Sequence, residues 1–191
     1  MAGALFLLLS LAFAAAAHDR GPVLSDQPLP RPTPRVGQAP PREPLVLKEE
    51  QLSSGTLHTL VSLPAQADAY IASAMPQQEF GLGPLFVGYN LDGDNFGAER
   101  TLIRFDLSSI PDGVLINHAY LRLRLSLAVP AGDTAMPTVL RRLASDWQEN
   151  SVTWATEPLW GEVRATEEVG SAVAWYEWEV TTLVADWKAG T

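Results

Sequence analysis

The stretch "LIRFDLSSIPDGVLINHAYLRLRLSL", residues 102–127, alternates apolar and polar residues twice, with a proline-glycine break between the two runs. Between residues 119 and 127, four leucines alternate with aromatic or polar residues. Successive side chains of a strand point to opposite faces, so this pattern predicts a strand with one buried face, whereas a helix would scatter the leucines around its circumference. The intervening "SSIPDG" predicts a turn between two such strands.

Runs of the same kind recur along most of the chain. From residue 66 onward, short runs of β-favouring residues are separated by turn signals at intervals of about ten residues, which is typical of an all-β sandwich. We therefore expect an antiparallel β-sandwich. The segment "TTLVADWKAG" is the one convincing helix signal, and it predicts a short C-terminal helix that is capped by Thr181 or Thr182 and stops at Gly190.

The N-terminus predicts a leader followed by a spacer. In "MAGALFLLLSLAFAAAAHD" an apolar run precedes four alanines, so residues 1–17 are expected to be a secretory signal peptide that is cleaved near Ala17. The alternative is a membrane anchor, but the run is shorter than the roughly 20 residues that span a bilayer. Residues 18–46 are rich in proline and predict an extended linker, and residues 47–65 are either linker or a leading strand at 57–63.

Charge and cysteine content exclude several classes of function. The chain has no cysteine, so it has neither disulfides nor a thiolate nucleophile. Residues 66–191 carry 8 basic and 17 acidic side chains and hold the whole net charge of −9. An acidic domain disfavours nucleic acid and anionic membranes, since binding to phosphate relies on clustered Lys and Arg. We expect a secreted, extracellular or cell-surface protein that is not inserted in a membrane after signal cleavage.

Several spaced motifs resemble a known family. "ADAYI", "LFVGY", "RTLIRFDLSSIPDG", "DWQENSVTWATEP" and "WEVTTLVADWKAG" occur in the order found in DNRLRE domains, which are also grouped as carbohydrate-binding module family 96 and are related to disaggregatase-type proteins. The resemblance covers residues 66–191. It implies a jelly-roll-like β-sandwich on exported, often multidomain proteins, with polysaccharide binding as the assigned role.

Three departures from the family pattern stand out, and one of them is Glu179-Val180-Thr181 where the family usually has Asp-Val-Thr. Glu79-Phe80-Gly81 replaces the usual Asn-Tyr-Gly, and the family continues with a further strand beyond the point where this chain stops. The resemblance therefore implies a domain truncated at its C-terminus. A missing strand would leave an unpaired sheet edge, which promotes association.

Catalytic and metal-binding motifs are weak or absent. The chain has no Gly-x-Ser-x-Gly elbow, no His-Glu-x-x-His and no phosphate-binding glycine loop, so we expect no enzyme activity in this chain, although a longer parent protein could join it to an enzyme. Asp92 and Asp94 are weak candidates for a structural calcium site, against the simpler interpretation of a solvated turn. The spacing is wrong for an EF-hand, because Phe96 occupies a ligand position. No cofactor is expected.

The candidate ligand-binding residues are aromatic and arginine side chains. Sugars lay their C–H faces on aromatic rings, and the predicted loops and polar strand faces carry Tyr120, Trp160 and Trp175. Arg122 and Arg124 could hold carboxylates of an acidic polysaccharide by forked hydrogen bonds, or they could pair with acidic residues across the sheet. The leading hypothesis is a non-catalytic carbohydrate-binding module. The alternative is a structural or adhesive surface module that contacts other proteins.

Overall fold

A computed structural model describes residues 4–11, 44–51, 55, 57–90, 97–129 and 134–190. Within these ranges most residues in regular structure belong to antiparallel strands, and a single α-helix closes the chain. The elements in chain order are β1 (Ala4–Leu11), β2 (Leu45–Gln51), β3 (Leu57–Ser62), β4 (Ala67–Ala72), β5 (Gly88–Asn90), β6 (Gly97–Asp106), β7 (Tyr120–Arg124), β8 (Met136–Leu143), a 3₁₀-helix (Trp154–Thr156), β9 (Trp160–Val169), β10 (Trp175–Glu179) and α1 (Thr181–Ala189).

The strands form one large sheet and two pairs. The large sheet has the order β4-β6-β1-β8-β9, and β5 pairs with the edge of β6. Strands β7 and β10 form a separate two-stranded ribbon, and β2 pairs with β3. These strands pair antiparallel throughout the described part of the chain. The expected all-β sandwich with one short C-terminal helix is therefore confirmed.

Buried clusters lie on both faces of the large sheet, although most of β9 is exposed. On one face the inner side of the ribbon and α1 pack against β6 and β8, and the buried residues of this cluster are Ile103, Leu107, Leu121, Leu140, Trp178, Val180, Leu183 and Val184. On the other face the segment that follows β8 covers β4 and β6, and the buried residues are Ala67, Ala69, Ile71, Leu102, Leu143, Trp147 and Val152. Leu102 and Ile103 are neighbours in β6 and are buried on opposite faces, as the period of two requires.

The alternating residues 119–127 form a strand, β7, which is shorter than expected. Leu121 is buried and Leu123 packs against the same core, whereas Leu127 is 67% exposed. The expectation that all four leucines are buried is wrong. The partner strand β10 begins at Trp175 opposite Arg124, and only the Leu125 N–H extends the pairing, to the Ala174 carbonyl. In the described part of the chain, β7 has no paired strand beyond that bond.

The helix lies where it was expected and has a different N-cap. It starts after Val180, which has no side-chain capping bond, so the prediction of a threonine cap is wrong. The Thr181 hydroxyl instead accepts a hydrogen bond from the Ala119 N–H at 2.8 Å, which ties the helix start to the residue before β7. Gly190 ends the helix with a left-handed φ of 77°, a conformation that glycine adopts without steric cost, as predicted.

Gly81, in the "EFG" motif, permits a close approach between two loops. A Cβ at this position would lie 1.9 Å from the carbonyl oxygen of Glu149, while the Glu149 carboxylate accepts a hydrogen bond from the Asp68 N–H in β4. We expect Gly81→Ala to force the backbones apart and to lower the free energy of unfolding by about 1–3 kcal/mol in urea denaturation. Gly161→Ala is the matched control, because its nearest atom would be 3.8 Å away. Equal stability of the two variants would contradict this assignment.

The N-terminal organisation is only partly described. Residues 4–11, inside the predicted leader, form strand β1 between β6 and β8, and cleavage of the leader stays a prediction. Residues 12–43, which include most of the predicted linker, lie outside the described residues. Of the two interpretations of residues 47–65, the strand at 57–63 is present as β3. No helix in the described ranges is long and apolar enough to cross a membrane.

Candidate functional site

The ribbon formed by β7 and β10 exposes one polar and aromatic face. Antiparallel register pairs Tyr120 with Glu179, Arg122 with Glu177, and Arg124 with Trp175. Directly opposed residues point to the same side of a sheet, so all six side chains share the side that faces away from the core. We call this surface the ribbon face, and it consists of Tyr120, Arg122, Arg124, Trp175, Glu177 and Glu179.

The inner side of the same strands anchors the face. Leu121 and Trp178 lie opposite each other and are 5% and 2% exposed. The indole N–H of Trp178 donates to the Thr138 carbonyl of β8 at 3.0 Å, which links the ribbon to the large sheet. Tyr176 is half-buried on this inner side, and its hydroxyl donates to the carbonyls of Gly170 and Ala172. The backbone that carries the ribbon face is therefore held by packing and by hydrogen bonds.

Two aromatic rings stand at opposite ends of the face. Tyr120 is 53% exposed and Trp175 is 58% exposed, so both rings offer apolar surface to solvent. They lie on adjacent strands at positions four residues apart along the strand direction, which corresponds to about 13 Å. His118 stacks at 6.5 Å from Tyr120 and extends the aromatic surface at that end.

The charges on the ribbon face balance. Arg122 pairs with Glu177 through Nε and Oε1 at 2.6 Å, and its guanidinium also lies 5.3 Å from the centre of the Trp175 ring. Among the described residues Arg124 has no ion-pair partner. The cross-strand pairing that was one of two interpretations therefore holds for Arg122, while Arg124 keeps its hydrogen-bond donors available.

Glu179 remains ionised at the Tyr120 end of the face. The hydroxyl and the backbone N–H of Thr181 donate to its carboxylate and hold its pKa below the usual range, and the N–H bond measures 3.0 Å. The Glu179 carboxylate therefore stays charged to lower pH than an isolated glutamate would.

Trp160, the fifth predicted residue, belongs to a different surface. It begins β9, opposite Leu143 of the large sheet, and is 43% exposed. The guanidinium of Arg141 lies 4.5 Å from its ring centre, and that of Arg100 lies at 5.9 Å. About 30 Å of strand separates Trp160 from the end of β9 that leads into β10. The structure thus brings four of the five predicted residues together and leaves Trp160 apart from them.

Two acidic members of the face were not predicted from the sequence. Glu177 and Glu179 alternate with Tyr176 and Trp178 in "WYEWE", and this period of two places both glutamates on the side of Trp175. The alternation alone is therefore enough to place both glutamates on the ribbon face. The calcium candidates Asp92 and Asp94 lie outside the described residues. The described residues contain no cluster of His, Asp or Glu that could hold a metal ion.

Comparison with known proteins adds one match. The model of the family described as "Carbohydrate-binding module family 96" matches residues 59–191, so the match begins within β3, before the expected start at residue 66. No curated protein matches the chain, and no solved structure matches it.

Proposed function

The chain belongs to carbohydrate-binding module family 96, and from that premise we propose that it is an exported, non-catalytic module that binds a polysaccharide on the ribbon face. The observation that carries the proposal is the pair of exposed rings, Tyr120 and Trp175, on one side of the ribbon with hydrogen-bonding groups between them. A sugar chain that lies along the strands would stack on both rings. Its hydroxyl groups would reach the Arg122–Glu177 pair and Arg124.

The charge balance favours a neutral polysaccharide. Glu177 already forms an ion pair with Arg122 at 2.6 Å, and Glu179 adds negative charge at the Tyr120 end. An acidic glycan would have to displace one carboxylate and approach the other, within a domain whose net charge is already negative. Arg124 alone would attract it. Binding is therefore expected to change little between low and high salt, because little of it depends on screened charges.

Replacing Trp175 with alanine tests the proposal. We expect the affinity for the recognised polysaccharide to fall by about 30-fold or more, which corresponds to the 2 kcal/mol typical of a dominant contact residue. A panel of neutral and acidic polysaccharides, tested by retardation in affinity gels and by titration calorimetry, measures the effect. Trp175 is exposed, so the variant should retain the unfolding midpoint of the parent chain.

Trp160→Ala is the matched control, since it removes an exposed tryptophan far from the ribbon face. Its affinity should stay within about twofold of the parent value, because distant sites act independently. Loss of binding in Trp160→Ala with normal binding in Trp175→Ala would refute the assignment of the ribbon face.

One observation favours the second candidate function, a structural or adhesive module. The Arg122–Glu177 ion pair covers the middle of the ribbon face, as expected of a sheet surface that is only solvated. A folded chain that binds no polysaccharide in the panel would support this function, and the same face would then be tested for a protein partner.

A further inference from the structure

Each exposed ring of the ribbon face has one charged side chain directly across the strand pair. Arg124 lies opposite Trp175, and Glu179 lies opposite Tyr120. Opposed side chains of an antiparallel pair have Cβ atoms about 5 Å apart, so a sugar that stacks on either ring is within reach of its charged neighbour. The two rings belong to different strands, so a chain that contacts both crosses the ribbon obliquely. Arg124 and Glu179 then lie on opposite sides of that chain.

The two charged neighbours offer opposite hydrogen-bonding chemistry. The Glu179 carboxylate only accepts hydrogen bonds, and the backbone N–H and the hydroxyl of Thr181 already donate to it. The exposed Arg124 side chain only donates, through the N–H groups of its guanidinium. It makes no hydrogen bond or ion pair with any residue that the structure describes. The Trp175 end of the face therefore presents a set of donors that a ligand can fill.

The surroundings of Arg124 decide which acceptor suits it. Of the two arginines on the ribbon face, Arg122 is already paired with Glu177 at 2.6 Å. A carboxylate ligand at Arg124 would approach this glutamate and Glu179, and like charges repel. A neutral carbonyl oxygen accepts the same hydrogen bonds without that repulsion. Neutral polysaccharides carry carbonyl oxygens in acyl substituents, chiefly acetyl esters and acetamido groups, whereas a hydroxyl group both donates and accepts and so does not distinguish the two ends.

The indole beside Arg124 suits the rest of an acetyl group. Trp175 is exposed, and its apolar surface accepts the C–H groups of a sugar ring and of a methyl group alike. We propose that the ribbon face recognises an acetylated neutral polysaccharide, and that Arg124 donates to the carbonyl oxygen of an acetyl group on the sugar that stacks on Trp175. This inference rests on the proposed function, because it requires a glycan on the ribbon face. It assigns specificity to Arg124, while the two rings supply the affinity that is common to acetylated and unacetylated chains.

Matched glycans with and without acetyl groups test the inference. Acetylated xylan and acetylated glucomannan are each compared with the same polymer after mild alkaline hydrolysis of the esters, and chitohexaose is compared with cellohexaose. Titration calorimetry on the full chain measures every affinity. We expect the acetylated member of at least one pair to bind about tenfold more tightly, the factor for one hydrogen bond to a charged group. Equal binding of both members in every pair that binds would overturn the inference and leave the proposed function standing.

Variants at Arg124 separate the donors from the charge. Arg124→Met keeps the length of the side chain and should lower the affinity for the acetylated member to that of the unacetylated one, whose own affinity stays within about twofold. Arg124→Lys keeps the charge without the planar fork and should retain an intermediate preference. Arg141→Met, on the surface that carries Trp160, is the matched control and should bind as the parent chain does. An unchanged preference in Arg124→Met would overturn the inference.

Two further outcomes concern the class of ligand. Absence of binding to every glycan of the set would overturn the proposed function together with this inference. Polygalacturonate is included as an acidic chain. If it binds more tightly than every acetylated neutral glycan and added salt weakens that binding, Arg124 pairs with a carboxylate and the inference is overturned.

Discussion

Replacement of Trp178 by alanine is expected to lower the free energy of unfolding by about 3–5 kcal/mol, the range for truncation of a buried tryptophan. Trp178 is 2% exposed and packs in the cluster between the ribbon and the large sheet. Its indole N–H also donates to the Thr138 carbonyl at 3.0 Å, so the variant loses a link between the two layers. The loss is a large part of the roughly 5–15 kcal/mol that stabilises a typical domain.

Urea denaturation followed by circular dichroism measures this change. Trp178→Phe separates the two contributions, since it keeps a ring in the core and removes the donor. We expect it to lose about 1–2 kcal/mol, near the net value of one hydrogen bond plus a small packing defect. Trp175→Ala, three positions away on the same strand and exposed, should change stability by less than about 0.5 kcal/mol. A similar loss in the Trp178→Ala and Trp175→Ala variants would show that Trp178 does not connect the layers.

Replacement of Arg100 by alanine is expected to lower the free energy of unfolding by about 2–4 kcal/mol. Its Nη1 lies 2.7 Å from both carboxylate oxygens of Glu157, and its guanidinium lies 4.5 Å from the centre of the Trp154 ring. The two charged side chains are 24% and 16% exposed. Breaking a buried ion pair costs about 3–5 kcal/mol, because one charge remains desolvated without its partner. Partial exposure of this pair reduces that cost.

Lys48→Ala is the control for Arg100→Ala. Lys48 pairs with Glu50 at 2.7 Å, but the two side chains are 65% and 55% exposed, so its loss should change stability by less than about 0.5 kcal/mol. The stability loss of Arg100→Lys should lie between those of Arg100→Ala and Lys48→Ala, because an ammonium keeps the charge and loses the planar contact with Trp154. Thermal and urea unfolding of the three variants decide the order. An Arg100→Ala variant as stable as Lys48→Ala would contradict the stabilising role of this pair.

Local alternation was enough to predict β7 and the side of it that carries Tyr120, Arg122 and Arg124, but not its pairing with β10. The period of two in residues 119–127 depends only on the geometry of one strand, so it correctly separated Leu121 from Tyr120, Arg122 and Arg124. The same rule, applied to β10, would have added Glu177 and Glu179. It did not show where the pairing ends, because that limit is set by the length of the partner strand and not by the leucines.

Long-range contacts could not be predicted in this way. Glu157 follows Arg100 by 57 residues, and no spacing rule connects them. Trp160 and Trp175 both appear exposed in the sequence, but only the sheet order shows that they lie on different surfaces. The run in residues 4–11 is ambiguous for a physical reason, since the apolar part of a leader and a strand covered on both faces require the same residues.

Because some tryptophans lie in the core and others on the surface, tryptophan fluorescence can distinguish events at the surface from events in the core. Trp147 and Trp178 are buried, while Trp160 and Trp175 are more than 40% exposed. Dry indoles emit at shorter wavelengths than hydrated ones, and a small soluble quencher reaches only the hydrated ones. A ligand that shields the long-wavelength emission from the quencher is therefore bound at the surface, whereas a red shift of the short-wavelength emission reports water entering the space between the layers.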